Sequence, residues 1–187
     1  MIENASSTKH PPRDSERTRA RILQAAIELF SSSSFDMVRS RDIADKAGID
    51  VALINRYFGS KKGLFIAALE VISQVRPELD SEDVEKLFCK DFARRLSGED
   101  RQNTTTAVRL VAFSASSAEV APLLQKLITD EISRLTDKLG TEDKTSATAF
   151  LAYHIGMHTL LQMLSDEDRA NLKLETLLEP IRAISPK

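Results

Sequence analysis

Residues 40–58 read SRDIADKAGIDVALINRYF, two short amphipathic runs on either side of one glycine. No other feature of the chain restricts its fold as much. Ile43, Ala44 and Ala47 share a face of the first run, and Ile54 and Phe58, four residues apart, share a face of the second. Gly48 suits the positive φ that ends a helix. Ser40 is the expected N-cap of the first helix and Asp50 that of the second, which should run from Val51 to about Tyr57. Two short helices joined by a glycine-containing turn of about 3–4 residues form a helix-turn-helix. Ala44 falls where these helices cross, and a larger side chain there would hold them apart.

The flanking sequence continues the helical period. Ile22, Ala25, Ala26, Leu29 and Phe30 mark a helix that Ser15 would cap and the serine run 31–34 would end. Ser60 should cap a further helix with Leu64, Phe65, Ala68, Leu69 and Ile72 on its apolar stripe. RPELDSED at 76–83, with Pro77, breaks the pattern and is read as a domain boundary. Helical patterns then recur at 82–96, 104–116, 119–139, 144–164 and 168–184, and Pro180 should kink or shorten the last. No strand pattern and no repeat competes, so the expected fold is all-α. Residues 1–14, with Pro11, Pro12, Lys9, His10 and Arg13, are expected to form a flexible basic arm; 15–75 a helix-turn-helix domain with its linking helix; 76–187 a second helical domain.

Several function classes are disfavoured. The formal charge of -2 shows no overall basic character, although the front of the chain is mildly basic and the back acidic. Cys89 is the only cysteine, so neither an intrachain disulfide nor a multi-cysteine zinc site can form. The N-terminus lacks the apolar segment of a signal peptide and no apolar run is long enough to span a bilayer, so the expected location is the cytoplasm. No Gly-rich phosphate loop, GxSxG or zinc motif argues for an enzyme, and no cofactor is expected. His154 and His158 sit one turn apart, a spacing that can chelate zinc, but Ile155, Gly156 and Met157 between them leave no Glu in the HExxH position. No metal is expected there, and the two are read as interface or pocket residues. Cys89, between Lys86 and Lys90, is either a small core residue or a redox-sensitive thiol.

RTRARILQAAIELF, RDIADKAGID and INRYFGSKKGLF resemble, in order and spacing, the N-terminal domain of the tetracycline-repressor (TetR) family. The resemblance covers residues 15–70 and rests on co-occurring features: the Ile-Ala-x-x-Ala-Gly core, the Tyr57-Phe58 pair, and Ser60-Lys61 just after it. It implies a three-helix DNA-binding domain, joined by a fourth helix to a helical domain for ligand binding and dimerisation. It further implies that Tyr57 and Lys61 contact phosphates, with Ser40 and Arg41 as matching contacts on the other side. The chain departs from the family where Gly-Thr-Leu-Tyr is common and Ala52-Leu53-Ile54-Asn55 stands instead. With Ile54 and Phe58 turned inward, helical geometry leaves Val51, Ala52, Asn55 and Arg56 on the outer faces. Asn pairs bidentately with adenine, Arg with guanine, and small apolar side chains touch thymine methyls. Arg17, Arg19 and Arg21 would add salt-dependent affinity.

The expected function is therefore a homodimeric transcriptional regulator, a ligand-responsive repressor bound to a palindromic operator. The alternative is a DNA-binding regulator without a small-molecule ligand, controlled by a protein partner. Phe88, Phe92, Phe113, Phe150 and Met157 are the candidate linings of a pocket for an apolar or amphipathic ligand. FLAYHIGMHTLLQML is apolar nearly all round and needs cover on every side. A partner subunit would supply it through Ala152, Gly156, Leu174, Leu177, Leu178 and Ile181; the alternative is that these helices form only an intrachain core.

Overall fold

The computed structural model describes residues 12–74, 92, 93, 96, 103–140 and 142–184. Among these residues every regular element is a helix: α1 Pro12–Phe30, α2 Ser40–Ala47, α3 Ala52–Phe58, α4 Lys61–Gln74, α5 Asn103–Ser114, α6 Ala121–Lys138, α7 Lys144–Met163, α8 Asp166–Ala170 and α9 Leu174–Ile184. Most of the arm, the 76–83 boundary, Phe88 and Cys89 lie outside the described residues.

Local chemistry accounts for most of the helix ends. The serine run stops α1 as its composition suggests: the Ser31 and Ser32 hydroxyls both donate to the Glu28 carbonyl, at 3.0 Å. Two cap assignments are corrected. Ser15 is an interior residue, because α1 already begins at Pro12, whose fixed φ and missing N–H suit a first turn. Ser40 is the first residue of α2, and Arg39 is its N-cap. The Asp42 carboxylate reaches back to the Arg39 N–H (3.0 Å) and grips its guanidinium through two further bonds of 3.1 and 2.7 Å. At the other end of the chain, the stretch expected as one helix is two. Ser165 caps α8 by accepting from Asp168 N–H, and the break falls at 171–173 rather than at Pro180. Pro180 lies inside α9 on its exposed side, where water can satisfy the carbonyl that loses its donor.

The buried side chains form two clusters. The first holds Ile22, Ala26, Phe30, Phe35, Ile43, Ile54, Leu64, Phe65 and Ala68 from the N-terminal helices, and also Leu110 of α5 and Val120 and Leu124 around the start of α6. The N-terminal core is thus completed by residues from the back half. At its centre Phe30, Phe35 and Phe65 lie 5.0–5.8 Å apart, with Phe65 edge-on to both partners. Such pairs contribute about 0.5–1.5 kcal/mol each beyond the area they bury. The second cluster joins Phe92, Leu135, Phe150, Leu161, Leu178 and Ile181.

Candidate nucleic-acid interface

The α2–α3 corner is built from cap chemistry. Gly48 takes φ 62°, ψ 46°. Its N–H donates to Asp45 O (3.1 Å), and Ile49 N–H donates to Ala44 O (3.0 Å), the paired bonds of a left-handed C-cap. Arg21 of α1 donates to both Ala47 O and Gly48 O, which satisfies the last carbonyls of α2. Asp50, expected as the N-cap of α3, lies one residue before the cap: the helix begins at Ala52 with Val51 at the cap position, and the Asp50 Oδ1 accepts from Ala52 N–H at 2.8 Å across that turn. Gly59 closes α3 at φ 75°, and the Ser60 hydroxyl accepts from Gly63 N–H at 2.9 Å to start α4. A Cβ on Gly63 would stand 2.1 Å from the Phe58 carbonyl oxygen, so only glycine lets α4 turn this closely against α3. Gly63 lies within the INRYFGSKKGLF stretch, but nothing in the local helical pattern marks that requirement.

Ile54 is fully buried and Leu53, Tyr57 and Phe58 are half-buried against the first cluster. Val51, Ala52, Asn55 and Arg56 are exposed side by side on the outer face of α3. Arg41 and Lys62 are exposed at the starts of α2 and α4, and Ser40 is half-buried. Among the described residues, Arg41, Arg56 and Lys62 make no hydrogen bond or ion pair within the chain. The motif does not single out Lys62; its exposure next to a helix N-terminus is what reveals it. Arg39 is also exposed, its guanidinium held by Asp42. That pairing pushes the Arg39 pKa up and holds the Asp42 carboxyl below its usual range.

Other cations of the N-terminal helices, Arg19 and Lys61 of the expected DNA face among them, are engaged inside the domain. Arg19 lies over the Phe58 ring, 5.0 Å from its centroid, tying α1 to α3. Lys46 pairs with Glu28 at 2.9 Å between α2 and α1, and this hydrogen bond, with one from Gln24, holds the Glu28 carboxyl below its ordinary value. Lys61 is half-buried. Its Nζ donates to Phe35 O (2.9 Å) and Val38 O (3.1 Å) and lies 4.0 Å from the Phe35 ring centroid. Two of its three donors are therefore spent on the α1–α2 loop. Of the arginine group on α1, Arg17 alone is exposed without a partner among the described residues.

In the back half, Phe92 and Phe150 are fully buried and Met157 packs against the second cluster. Phe113 departs from the pocket expectation: it is 41% exposed, with the Arg109 guanidinium 5.6 Å from its ring centroid. His154 and His158 stand with ring centroids 5.4 Å apart, and Phe92 lies 6.1 Å from His154. No group of three metal-ligating side chains occurs among the described residues. Tyr153, whose pKa burial raises, donates its hydroxyl to Leu177 O at 2.6 Å and ties α7 to α9. Of the residues expected at a subunit interface, Leu178 and Ile181 are fully buried within the subunit. Leu174 and Leu177 are half-buried. Ala152 is exposed, and a Cβ on Gly156 would meet nothing within 4 Å; Leu160 and Met163, 56% and 78% exposed, continue the same side of α7.

This arrangement has close counterparts. Residues 22–68 match the family model for bacterial regulatory proteins of the tetR family. The chain is 30% identical over 163 residues to the HTH-type transcriptional regulatory protein RaaS of Mycobacterium tuberculosis, across 82% of this chain and 75% of that protein. Its fold is similar to that of NalD, described as the secondary repressor of the MexAB-OprM multidrug efflux pump in Pseudomonas aeruginosa. That likeness has a TM-score of 0.62 at 20% identity, covering 90% of this chain and 96% of NalD. It is also similar to the multidrug binding protein EbrR solved with imidazole, with a TM-score of 0.63 at 19% identity over 99% and 98% of the two chains. A relative of this identity and coverage, together with the motif match over the helix-turn-helix, shows that the chain belongs to the tetR family of bacterial regulatory proteins, DNA-binding regulators of transcription.

Proposed function

We propose that the protein is a dimeric, ligand-responsive repressor that reads a palindromic operator with α3. One observation carries the reading: Val51, Ala52, Asn55 and Arg56 form an exposed strip on a helix whose opposite face is anchored by Ile54 and Phe58. The N-terminal part of such a helix is what reaches base edges in a major groove. Val51 and Ala52 are small enough for close approach, while Asn55 and Arg56 supply donors in the geometry that adenine and guanine accept. Ser40, Arg41, Tyr57 and the exposed Lys62 flank the strip as phosphate contacts, and Lys61 adds its remaining donor.

A two-fold operator needs a two-fold protein. The side of α7 bearing Ala152, Gly156, Leu160 and Met163 is apolar and largely exposed among the described residues, which suits a symmetric helix–helix contact. Phe92, Phe150, Met157 and the histidine pair would bound the ligand site. EbrR, solved with imidazole, and NalD, described as a repressor, are similar folds that support this assignment. Ligand release of DNA then requires only that the ligand bind one subunit arrangement better than the other.

Selection from random double-stranded DNA at near-physiological salt tests the reading. A two-fold symmetric consensus is expected; no enrichment by folded, dimeric protein would overturn it.

A further inference from the structure

The loop between α1 and α2 is held by three different elements. The Phe35 ring is fully buried in the aromatic cluster. Its carbonyl accepts from Lys61 of α4. Its N–H donates to the Ser114 hydroxyl at 3.2 Å, at the end of α5. The next residue, Asp36, accepts from the Ser117 hydroxyl at 2.8 Å. Ser114 and Ser117 are both fully buried. They belong to one turn: Ser117 N–H donates to Ser114 O (3.0 Å), and Ser117 O accepts from Ala121 N–H (2.8 Å) at the start of α6.

Two buried hydroxyls are a costly way to fill an interface that apolar side chains could fill, unless their bonds are made. What they add is direction, since a hydrogen bond fixes angle and register where apolar contact does not. Here the direction is transferred at once: two residues after Asp36 comes Val38, held by Lys61, and then Arg39, which opens α2 with Asp42. The Gly48 corner carries the pose of α2 on to α3.

We propose that Ser114 and Ser117 are positioning residues for DNA binding: through Phe35 N–H and Asp36 they let the α5–α6 turn set the pose of α2, and with it the reading strip. This rests on the DNA-binding function above and assigns to the back half a direct part in recognition that does not pass along α4. A hydroxyl lost from this turn leaves every DNA contact in place but lets the helix pair rock.

The test compares wild type with Ser117→Ala, Asp36→Ala and Asp36→Asn, on the duplex that wild type selects and on versions with half-sites one base pair closer or farther. Asp36 is exposed, so its variants fold. Asn keeps a carbonyl acceptor and removes the charge, which separates the bond from the repulsion between a carboxylate and DNA. Ser117→Ala should weaken binding to the optimal duplex about 5–10-fold, and Asp36→Ala by a similar factor relative to Asp36→Asn, which binds at least as well as wild type. The double variant Ser117→Ala with Asp36→Ala should be no weaker than Ser117→Ala, the preference for the correct spacing should shrink, and the salt slope of Ser117→Ala should stay at its wild-type value because no phosphate contact is lost. Amide exchange of residues 39–47 without DNA should be faster in Ser117→Ala and Asp36→Ala and unchanged in Asp36→Asn. Equal binding by Asp36→Ala and Asp36→Asn, additive losses, or a reduced salt slope in Ser117→Ala would overturn the proposal. Absence of any selected sequence for wild type would remove the DNA-binding reading itself. Unaltered exchange at 39–47 would sink the mechanical link whatever the DNA result.

Discussion

Lys61→Met separates two roles that one ammonium performs. Met keeps much of the aliphatic stem and removes the charge. In the folded protein this deletes two charge-assisted hydrogen bonds, to Phe35 O at 2.9 Å and Val38 O at 3.1 Å, and a cation–π contact 4.0 Å from the Phe35 centroid. Hydrogen bonds to charged groups contribute about 1.5–3 kcal/mol each and an exposed cation–π contact about 0.5–1 kcal/mol. The site is half-buried, so water can replace part of what is lost, and a total of about 2–4 kcal/mol follows. At roughly 2–4 °C per kcal/mol for a chain of this size, the melting midpoint should fall by about 4–16 °C. Thermal unfolding without DNA checks that figure. DNA titrations below the new midpoint read the other role, because loss of one phosphate contact weakens all sequences alike and flattens the log–log salt slope by about 0.9 per subunit. A melting midpoint unchanged within a degree would refute the loop-pinning argument, and an unchanged salt slope would refute the phosphate role of the third donor.

Arg56→Ala should relax base preference at one position in each half-site, costing about 1–3 kcal/mol against the preferred base and little against others; competition with single-base operator variants reads this. Asp42, held below the usual carboxylate range by Arg39, stabilises the start of α2 above its unfolded pKa of about 4, and that contribution is lost as pH falls through the lower folded value. Amide exchange at 40–43 should therefore accelerate in wild type as pH drops below about 4, after correction for intrinsic rates, and Asp42→Asn should lack that step. Gly156→Leu puts a branched side chain where a Cβ meets nothing within 4 Å and should shift sedimentation equilibrium toward monomer, with a cooperative melting transition showing that the subunit is folded; an unchanged dimer would move the interface off this side of α7.

How much of this is written in the sequence depends on the range of the interaction. Gly48, Asp50, Ser60 and the serine run act on backbone within a few residues, and each does in the structure what its chemistry suggests. The N-cap of α2 had a readable signal too: such a cap is marked by an acid three residues on, and counting back from Asp42 gives Arg39, whereas Ser40 is followed at that distance by Ile43. Interactions across the fold carry no such mark. Arg19, Arg21 and Lys61 look like three more cations on a basic face, and only the folded chain brings Phe58, the α2 carbonyls and the 35–38 loop under them. Periodicity has the same limit in the back half. It shows that α7 and α9 have apolar faces but does not say what covers each. Leu178 and Ile181 fill the subunit's own core, while Leu160 and Met163 stay open on α7, so the surface a partner can use is the remainder after the fold has taken its share.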